Sequence, residues 1–438
     1  MPGSQLTPVQ SWGRIGAHAH NVLTPNTVAQ ARAAIARSGT WLAHGMGRSY
    51  GDVALNTGGT LISTRSLDRF VAFDRDSGVL EAEAGVTLEE VIRIALPHGW
   101  FLPTTPGTKY VSLGGAIAND VHGKNHHRAG TFGCWVHDLE LARSDGSLIA
   151  CGPEANTAMF RATVGGLGLT GLITKITLQL VRVPGAFLDS EDVAFSNLRE
   201  FFDLAAQSDS GGWEHTVAWM DCTGAHAGRG IFSRANWAAD CEREVRLDRF
   251  KPRVPLDAPG FLLNRLSVRA FNELYFRVKA ASARRARIHF NTCFYPLDGI
   301  QDWNRLYGRP GFYQYQCAVP APAQCEVTAS LLREIAASGQ ASALAVIKQF
   351  GKRASPGLLS FPMPGTHLAL DFPNRGAQTH ALFERLDAIV AAAGGRLYPA
   401  KDARMPASLF RSGYPQWTAV NALRDPRVHS DFWHRVAG

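Results

Sequence analysis

Three glycine-rich segments in the first 171 residues constrain the fold of this 438-residue chain more than any other feature. They read GMGRSYGD at residues 45–52, LGGAIANDVHGKNHH at 113–127 and VGGLGLTG at 164–171. Glycine lets the backbone approach a flat ligand closely, and successive backbone N–H groups in such turns form nests that bind anions. Three such segments in one region predict a bulky cofactor that carries both a diphosphate and a ring system.

The last segment contains a GxGxxG pattern at residues 166–171, which alone would suggest a Rossmann dinucleotide site. The Rossmann fingerprint requires a helix directly after the glycines, because the helix N-terminus holds the pyrophosphate. Here the residues that follow, LITKITLQLV at 172–181, alternate with period two and predict a strand. We therefore reject a Rossmann fold.

Composition narrows the class of protein. The length suggests two domains, and 45% hydrophobic with 19% charged residues is typical of a globular protein. The net charge of +8 suits a phosphate-bearing ligand, although a solvated basic face explains it equally well. No nucleic-acid motif accompanies that charge, so we expect no nucleic-acid partner. Seven cysteines without a CxxC pair favour neither a disulfide framework nor a zinc knuckle.

The sequence also predicts a compartment. No apolar run reaches the roughly 18 residues that a membrane-spanning helix needs. Residues 1–16 lack the apolar stretch of a secretory signal. We therefore expect the cytoplasm.

Local patterns divide the chain into three parts and predict an α+β fold. We predict a first domain over residues 1–182, a substrate-binding domain over 183–395, and a C-terminal segment over 396–438 that returns to the first domain. In the first domain, the patterns predict helices at 27–38 and 87–99, strands at 79–84 and 172–181, a hairpin at 138–151, and loops throughout 103–125.

Residues 261–287 combine apolar residues at helical spacing with many basic residues. The apolar positions are 263, 266, 271, 274 and 278. An ordinary surface helix with a core face explains this pattern. The alternative is a basic amphipathic segment that contacts a membrane surface, or a lid near a greasy anionic substrate.

The glycine-rich segments resemble the FAD-binding domain of the vanillyl-alcohol-oxidase/PCMH flavoprotein superfamily. Within it, the chain is most similar to the decaprenylphosphoryl-β-D-ribose 2-oxidase family, and HGKNHH at 122–127 is rather specific to that group. The resemblance covers nearly the whole chain and is weakest over about 183–290. Its further motifs are DWNRLYG at 302–308, GFYQYQ at 311–316, KQFG at 348–351, LSFP at 359–362, DFP at 371–373 and GRLYPAKD at 395–402.

The resemblance implies a two-domain PCMH-type fold with a central antiparallel-sheet cap over the flavin. Many members of the superfamily attach the flavin covalently through a histidine, but this chain has Arg48 at that place, so we expect FAD to bind without a covalent bond. The glycine-rich segments and the resemblance together assign cofactor contacts to Gly45, Gly47, Arg48, Ser49, Tyr50, Gly51, Thr108, Gly114, Gly115, Ala118, Asn119, Gly123, Asn125, Gly165, Gly168 and Gly171.

The resemblance also implies the residues that act on the substrate. It places His122, Lys401 and Tyr398 at the reacting centre, with Lys401 beside the flavin, where a cation would stabilise the anionic reduced form. It places Tyr50, Gln314, Gln316, Lys348 and Lys401 around the substrate. Gln314 and Gln316 share one strand face, which points either to a cavity or to water.

Simpler interpretations of these residues remain open. His122 with His126 and His127 could form a metal cluster, but no cysteine or carboxylate lies at ligand spacing, so we predict no metal. A single histidine is commonly a structural hydrogen-bonding residue, and Lys348 and Lys401 could be solvated. One departure stands out, because mycobacterial members of the family have a pocket cysteine where this chain has Ala369.

The implied activity is oxidation of the 2-hydroxyl of a polyprenyl-phosphate pentose to a ketone, the first half of a 2-epimerisation that a separate NAD(P)H-dependent reductase completes. Peripheral membrane contact on either side of the membrane fits such a substrate. One alternative is an aldonolactone or alditol oxidase of the same superfamily. An alternative of another class is a non-catalytic flavin-binding partner subunit.

Overall fold

The computed structural model of the protein describes residues 6–239, 242–243, 251–282 and 285–438. The first part of the chain contains two larger sheets and one short strand pair. Its strands are β1 (Thr7–Val9), β2 (His18–Leu23), β3 (Trp41–His44), β4 (Thr60–Ser63), β5 (Phe70–Phe73), β6 (Val79–Glu83), β7 (Trp100–Phe101), β8 (Val136–Ala142), β9 (Leu148–Cys151), β10 (Leu172–Gln179) and β11 (Val181–Arg182). Its helices are α1 (Val28–Arg37), α2 (Leu88–Ala95), α3 (Leu113–Ala118), α4 (His126–Ala129) and α5 (Thr157–Thr163).

The two larger sheets differ in strand direction. The four-stranded sheet has the order β1-β2-β4-β3, and β2, β4 and β3 run parallel. The five-stranded sheet has the order β5-β6-β10-β8-β9 and is antiparallel throughout. Strands β11 and β7 form a separate antiparallel pair.

The rest of the chain contributes a single antiparallel sheet of eight strands among the described residues, in the order β15-β12-β14-β13-β17-β18-β16-β19. Its strands are β12 (Phe187–Phe195), β13 (His215–Met220), β14 (Gly230–Trp237), β15 (Arg285–His289), β16 (Phe312–Pro320), β17 (Ala345–Phe350), β18 (Gly365–Pro373) and β19 (Arg396–Leu397). The helices are α6 (Leu198–Ser210), α7 (Arg265–Ala281), α8 (Phe290–Phe294), α9 (Gln324–Ser338), α10 (Ala377–Ala392), α11 (Ala407–Gly413), α12 (Trp417–Leu423) and α13 (Asp431–Ala437).

Local sequence signals explain several elements of the first part. Helix α2 begins with a capping box in which Thr87 and Glu90 each bond the other's backbone N–H, as predicted. The predicted helix at 27–38, the strand at 79–84 and the hairpin at 138–151 are confirmed by α1, β6 and the β8–β9 pair. Strand β10 follows Gly171 directly, which confirms that the glycine pattern is not a Rossmann turn.

The prediction of loops throughout 103–125 is wrong for residues 113–118, which form α3. Two glycines and two alanines made this stretch look irregular. Ser112 supplies the missing start signal, because its hydroxyl accepts a hydrogen bond from the Gly115 N–H as an N-cap. Burial of Leu113, Ala116 and Ile117 then holds one face of the short helix in the core.

The last residues of the chain pack against the first part. Trp41 pairs with Val428, Asp431 bonds Thr57, and Arg427 bonds the carbonyl of Ser144. Arg435 donates to both Asp52 and Asp402 at 2.9 Å, so a single guanidinium joins the first glycine-rich loop, the segment after β19 and α13. The predicted domain limits at 182/183 and 395/396 stay predictions.

Helix α7 lies within the segment for which two interpretations were open; residues 283–284 of that segment lie outside the described residues. Of the five apolar positions of residues 261–287 that follow helical spacing, the four that lie in α7 are exposed, namely Leu266, Phe271, Leu274 and Val278. The interpretation as an ordinary helix with these residues in the core is therefore wrong. The inward side carries Val268 and the buried Asn272, whose amide donates to Asp221.

We expect Arg435→Met to lower the free energy of unfolding by about 2 kcal/mol, because it leaves the half-buried carboxylate of Asp52 and the buried carboxylate of Asp402 without this cation. The matched control is Arg385→Met, which removes an exposed ion pair with Glu334 and should cost less than about 1 kcal/mol. Chemical unfolding of both variants measures the difference. Equal losses for the two variants would show that the Arg435 network does not stabilise the fold.

Candidate active site

A large cavity separates the glycine-rich loops from one face of the eight-stranded sheet. Its volume is about 1320 Å³, which exceeds the roughly 300–1,000 Å³ of an ordinary small-molecule pocket. The cavity therefore has room for a dinucleotide and a second ligand together.

Most of the residues predicted to bind the cofactor line this cavity. They are Gly45, Gly47, Arg48, Ser49, Tyr50, Thr108, Gly114, Gly115, Ala118, Asn119, Gly123, Gly168 and Gly171. Seven of these thirteen residues are glycines, whose bare backbone leaves room for a bulky ligand, which fits FAD. Gly47 and Gly168 have φ values of 62° and 78°, a conformation that favours glycine.

Three of the predicted cofactor residues lie behind the cavity wall. Gly51 packs so closely on the carbonyl of Asp402 that a side chain would collide with it. The buried Asn125 side chain donates to the Pro103 carbonyl at 2.8 Å and accepts from Thr104 at 2.9 Å. Gly165 packs against the backbone of Ser360. The geometry indicates that these three residues shape the loops.

Arg48 occupies the place of the tethering histidine and points along the cavity wall. Its guanidinium lies 4.2 Å from the ring centre of Trp12 and 5.8 Å from that of Tyr110. A guanidinium remains protonated in proteins and is not a nucleophile. This position therefore offers positive charge to a ligand, and non-covalent binding of FAD stays a prediction.

The opposite wall of the cavity is built by side-chain alternation along paired strands. Lys348 on β17 lies opposite His367 on β18, and Gln316 on β16 lies opposite Ala369 on β18. All four side chains, and that of Gln314, line the cavity. The shared face of Gln314 and Gln316 thus points to the cavity and not to water. Ala369 lies in the middle of this wall, so the position of the family's pocket cysteine is confirmed as a cavity position.

His122 from the second glycine-rich segment meets this wall. Its Nδ1 lies 2.9 Å from Lys348 Nζ, and its Nε2 lies 3.4 Å from the amide of Gln316. Phe350, Phe361 and Tyr398 surround the ring. Burial lowers the pKa of His122 well below its ordinary value, and the positive charge of Lys348 acts in the same direction. The imidazole is therefore neutral at pH 7.

Two buried lysines border the same space. Burial lowers the pKa of Lys348 to about 7, and Lys124 adds to the effect. Burial also lowers the pKa of Lys401 to about 8, which the nearby Asp371 opposes. Lys401 Nζ lies 3.8 Å from the ring centre of Tyr50. Neither lysine is a solvated surface residue, which excludes the simpler interpretation.

Tyr398 lies at the cavity, but its hydroxyl is already engaged. It donates to the Asn119 carbonyl at 2.8 Å, at the end of α3. Its ring stacks on Phe361 at 4.6 Å. Burial raises the pKa of Tyr398 well above its ordinary value. The geometry favours a role in joining the C-terminal segment to the cofactor loop.

Sequence reasoning missed two buried polar residues. His367 bonds Gln316 at 2.7 Å, and Asp371 accepts from the Gln314 amide at 2.6 Å. Burial raises the pKa of Asp371 to about 7, and the Gln314 hydrogen bond and Lys401 oppose that rise. Alternation in HLALDFP at 367–373 could have placed both residues on one strand face with Ala369.

The part of the chain that the structure describes lacks two further kinds of feature. No group of three His, Cys, Asp or Glu side chains there could hold a metal ion. No helix there is long and apolar enough to span a bilayer.

Several known proteins are similar to this chain in sequence. The model of a family described as an FAD binding domain matches residues 19–152. The chain is 35% identical to decaprenylphosphoryl-β-D-ribose oxidase of Mycolicibacterium smegmatis, over 95% of this chain and 94% of that protein. It is also 35% identical to an uncharacterized protein of Streptomyces coelicolor, over 77% of this chain and 95% of that one. Mouse L-gulonolactone oxidase is 30% identical over 31% of each chain.

The fold and the site define an FAD-dependent oxidoreductase, which confirms the predicted cofactor and class of enzyme. Within that class, the chain belongs to the decaprenylphosphoryl-β-D-ribose oxidase family. The alternative of a non-catalytic flavin-binding subunit is therefore not retained.

We expect FAD to dissociate completely when the purified yellow protein is precipitated with acid, because Arg48 provides no group for a covalent bond. The flavin absorbance of the supernatant, measured against the total before precipitation, checks this. A pellet that retains the flavin colour after washing would contradict it.

Proposed function

We propose that the protein oxidises the 2-hydroxyl of a polyprenyl-phosphate pentose to a ketone, and that a separate NAD(P)H-dependent reductase completes the 2-epimerisation. The observation that carries this proposal is the meeting of His122, Lys348 and Gln316 across one cavity between the FAD loops and the sheet. The name of the Mycolicibacterium smegmatis relative supports the choice of substrate.

The chain's own residues would divide the work as follows. Bound FAD supplies the acceptor for the hydride that leaves the carbinol carbon. The backbone of Gly45–Gly47 and Gly114–Gly115 would hold the dinucleotide. Lys401 would place positive charge beside the ring system, and the aromatic wall around His122 would exclude water.

The proton of the substrate hydroxyl requires a nearby acceptor or a hydrogen-bonded exit. The buried Lys348 amine, with its pKa of about 7, and Lys401, with its pKa of about 8, are the groups that could hold it near neutral pH. Binding must therefore bring the reacting hydroxyl to this polar end of the cavity.

The far end of the cavity suits a lipid chain. Apolar residues of the sheet and of α7 also line the cavity, namely Val346, Val217, Ala235, Ile288 and Phe271. Lys124, Lys251, Arg253 and Lys279 line the same space, in which Arg253 pairs with Asp302 and Lys279 with Asp192. A small lactone or alditol would leave this apolar extension unused.

An aldonolactone or alditol oxidase of the same superfamily is the second candidate. The similarity to L-gulonolactone oxidase over about a third of the chain favours it. Ala369 also leaves more room beside Gln316 than the family's cysteine would. The two candidates share the flavin site and differ only in the substrate.

Anaerobic reduction of the bound FAD separates these candidates. We expect a prenyl-phosphoryl pentose to bleach the flavin absorbance, with a product two hydrogens lighter by mass spectrometry. The matched control is the same pentose phosphate without a prenyl chain, which should need at least tenfold higher concentration, because each buried CH₂ contributes about 0.8 kcal/mol. Bleaching by a lactone or alditol, but not by the prenyl-phosphoryl pentose, would reverse the choice of substrate.

We also propose that the outward face of α7 contacts a membrane, from which a lipid substrate would enter the cavity. Leu266, Phe271, Leu274 and Val278 are exposed on this helix, and Phe271 also lines the cavity. Residues 251–282 contain six Lys and Arg against two Asp and Glu, a balance that suits anionic lipids. A cytoplasmic location, with the periplasmic side as the alternative, stays part of this proposal.

Sedimentation with phospholipid vesicles tests this contact. We expect the protein to bind anionic vesicles, and Phe271→Ser with Leu274→Ser to weaken binding at least tenfold, because each side chain would lose about 1.5–3 kcal/mol of burial in the bilayer. The control is Val71→Ser, which removes an exposed apolar residue of β5. Equal binding by all three proteins, or no binding by the wild type, would contradict the proposal.

A further inference from the structure

The side-chain amide of Gln316 links two buried histidines at the polar end of the cavity. The same terminal atom of Gln316 lies 3.4 Å from His122 Nε2 and 2.7 Å from His367 Nε2. That atom is either the NH₂ group, which donates to both rings, or the carbonyl oxygen, which accepts from both. The two rings must therefore play the same role at Nε2.

The role of His122 depends on its other nitrogen. Lys348 Nζ lies 2.9 Å from His122 Nδ1 and 3.1 Å from the Gly123 carbonyl oxygen. A lysine ammonium can only donate, so it requires a lone pair at Nδ1 and places the ring proton of His122 on Nε2. Its third N–H is then left for a ligand in the cavity, since no carboxylate of the described residues lies within 4 Å of Nζ.

The role of His367 follows from a different observation. Its Nδ1 is buried and has no hydrogen-bond partner in any other described residue, since only the histidine's own backbone lies near it. A buried N–H without an acceptor loses its full solvation, whereas the other tautomer leaves only a lone pair there. The proton of His367 therefore belongs on Nε2, where it can be donated to Gln316.

The contacts of His122 and those of His367 thus require the same arrangement, with the ring proton on Nε2 of each histidine. We propose that His367 is a positioning residue, which holds the Gln316 carbonyl toward both rings and thereby keeps His122 as the tautomer that accepts from the Lys348 ammonium. The Gln316 NH₂ then faces the cavity beside the free N–H of Lys348. This end of the cavity presents donors, so it suits an oxygen atom that gains negative charge. Only the identity of that ligand rests on the proposed function.

Other titratable groups face Lys348 or the two histidines of this end of the cavity. They are Lys124, His126 and His127 from the segment after α3, and Lys401 from the turn after β19. All of them are cationic or neutral, and burial lowers the pKa of His126 to about 3. None supplies an anion that would fix the Lys348 ammonium, so the acceptor at His122 Nδ1 has to do so.

Long-range ¹H–¹⁵N NMR of the FAD-loaded protein with ¹⁵N-labelled histidine tests the arrangement, because it distinguishes the protonated ring nitrogen from the bare one. Spectra are compared at about pH 6 and about pH 9, on either side of the Lys348 pKa of about 7. We expect His122 and His367 to carry their protons on Nε2 at both values. A proton on Nδ1 of either ring at about pH 6 would overturn the proposal.

Variants separate positioning from general packing. In His367→Leu the Gln316 amide is free to rotate, so we expect His122 to gain an Nδ1–H signal at about pH 9, where Lys348 is neutral. His367→Gln, which can donate to Gln316, should restore the wild-type spectrum. The matched control is His126→Gln, which replaces a buried histidine beside His122 that does not bond Gln316.

An unchanged His122 spectrum in folded His367→Leu, or a changed one in His126→Gln, would overturn the positioning role. If His367→Leu does not fold, Gln316→Leu breaks the same link and should give the same His122 signal. These readouts do not involve the substrate, so their failure would leave the proposed oxidation untouched.

Discussion

The alternation of side chains along the eight-stranded sheet is the constraint on which the site depends. Successive residues of a strand face opposite sides, so Gln314 and Gln316 face the cavity while Tyr315 between them faces the core beneath α10. The register of β17, β18 and β16 then places Lys348 opposite His367 and collects these donors in one patch. A slip of one residue would turn the whole set into the core.

The second constraint is electrostatic. Lys348 and Lys401 are buried beside neutral imidazoles, and burial brings the pKa values of the two lysines to about 7 and about 8. A buried cation is costly unless hydrogen bonds or an opposite charge compensate it. Ligands that carry phosphate or gain negative charge provide that compensation. We therefore expect the local arrangement, more than the net charge of +8, to favour anionic ligands at this end of the cavity.

Much of the first part of the chain, which carries the glycine-rich segments, could be predicted from the sequence. Glycine clusters, the capping box at Thr87 and strand periodicity are local signals, and they predicted the loops, α2 and β10 correctly. Helix α3 was not predicted, because its residues GGAIA have weak helix signals. The helix depends on the Ser112 cap and on tertiary burial. Gly51 was assigned to the cofactor by its motif. The space beside it is occupied by the backbone of Asp402, which is about 350 residues away in the sequence.

The eight-stranded sheet and its side of the site were harder to predict, because the site depends on contacts between strands that are distant in the sequence. The family motifs indicated Gln316 and Lys348 as pocket residues, but His367 became visible only when the register of β18 was known. The direction of α7 was also undetermined, since spacing shows that apolar residues share a side and does not show which side meets solvent. Burial, not periodicity, settled that question.

A crystal structure of the FAD-loaded protein with a non-oxidisable substrate analogue tests the central claim most directly. The account predicts density for the diphosphate against the backbone around Gly47 and Gly115, and for the ring system beside Lys401. It also predicts a ligand oxygen within hydrogen-bond distance of Lys348 Nζ. A dinucleotide bound outside this cavity, or an analogue that contacts neither Lys348 nor His122, would contradict the account.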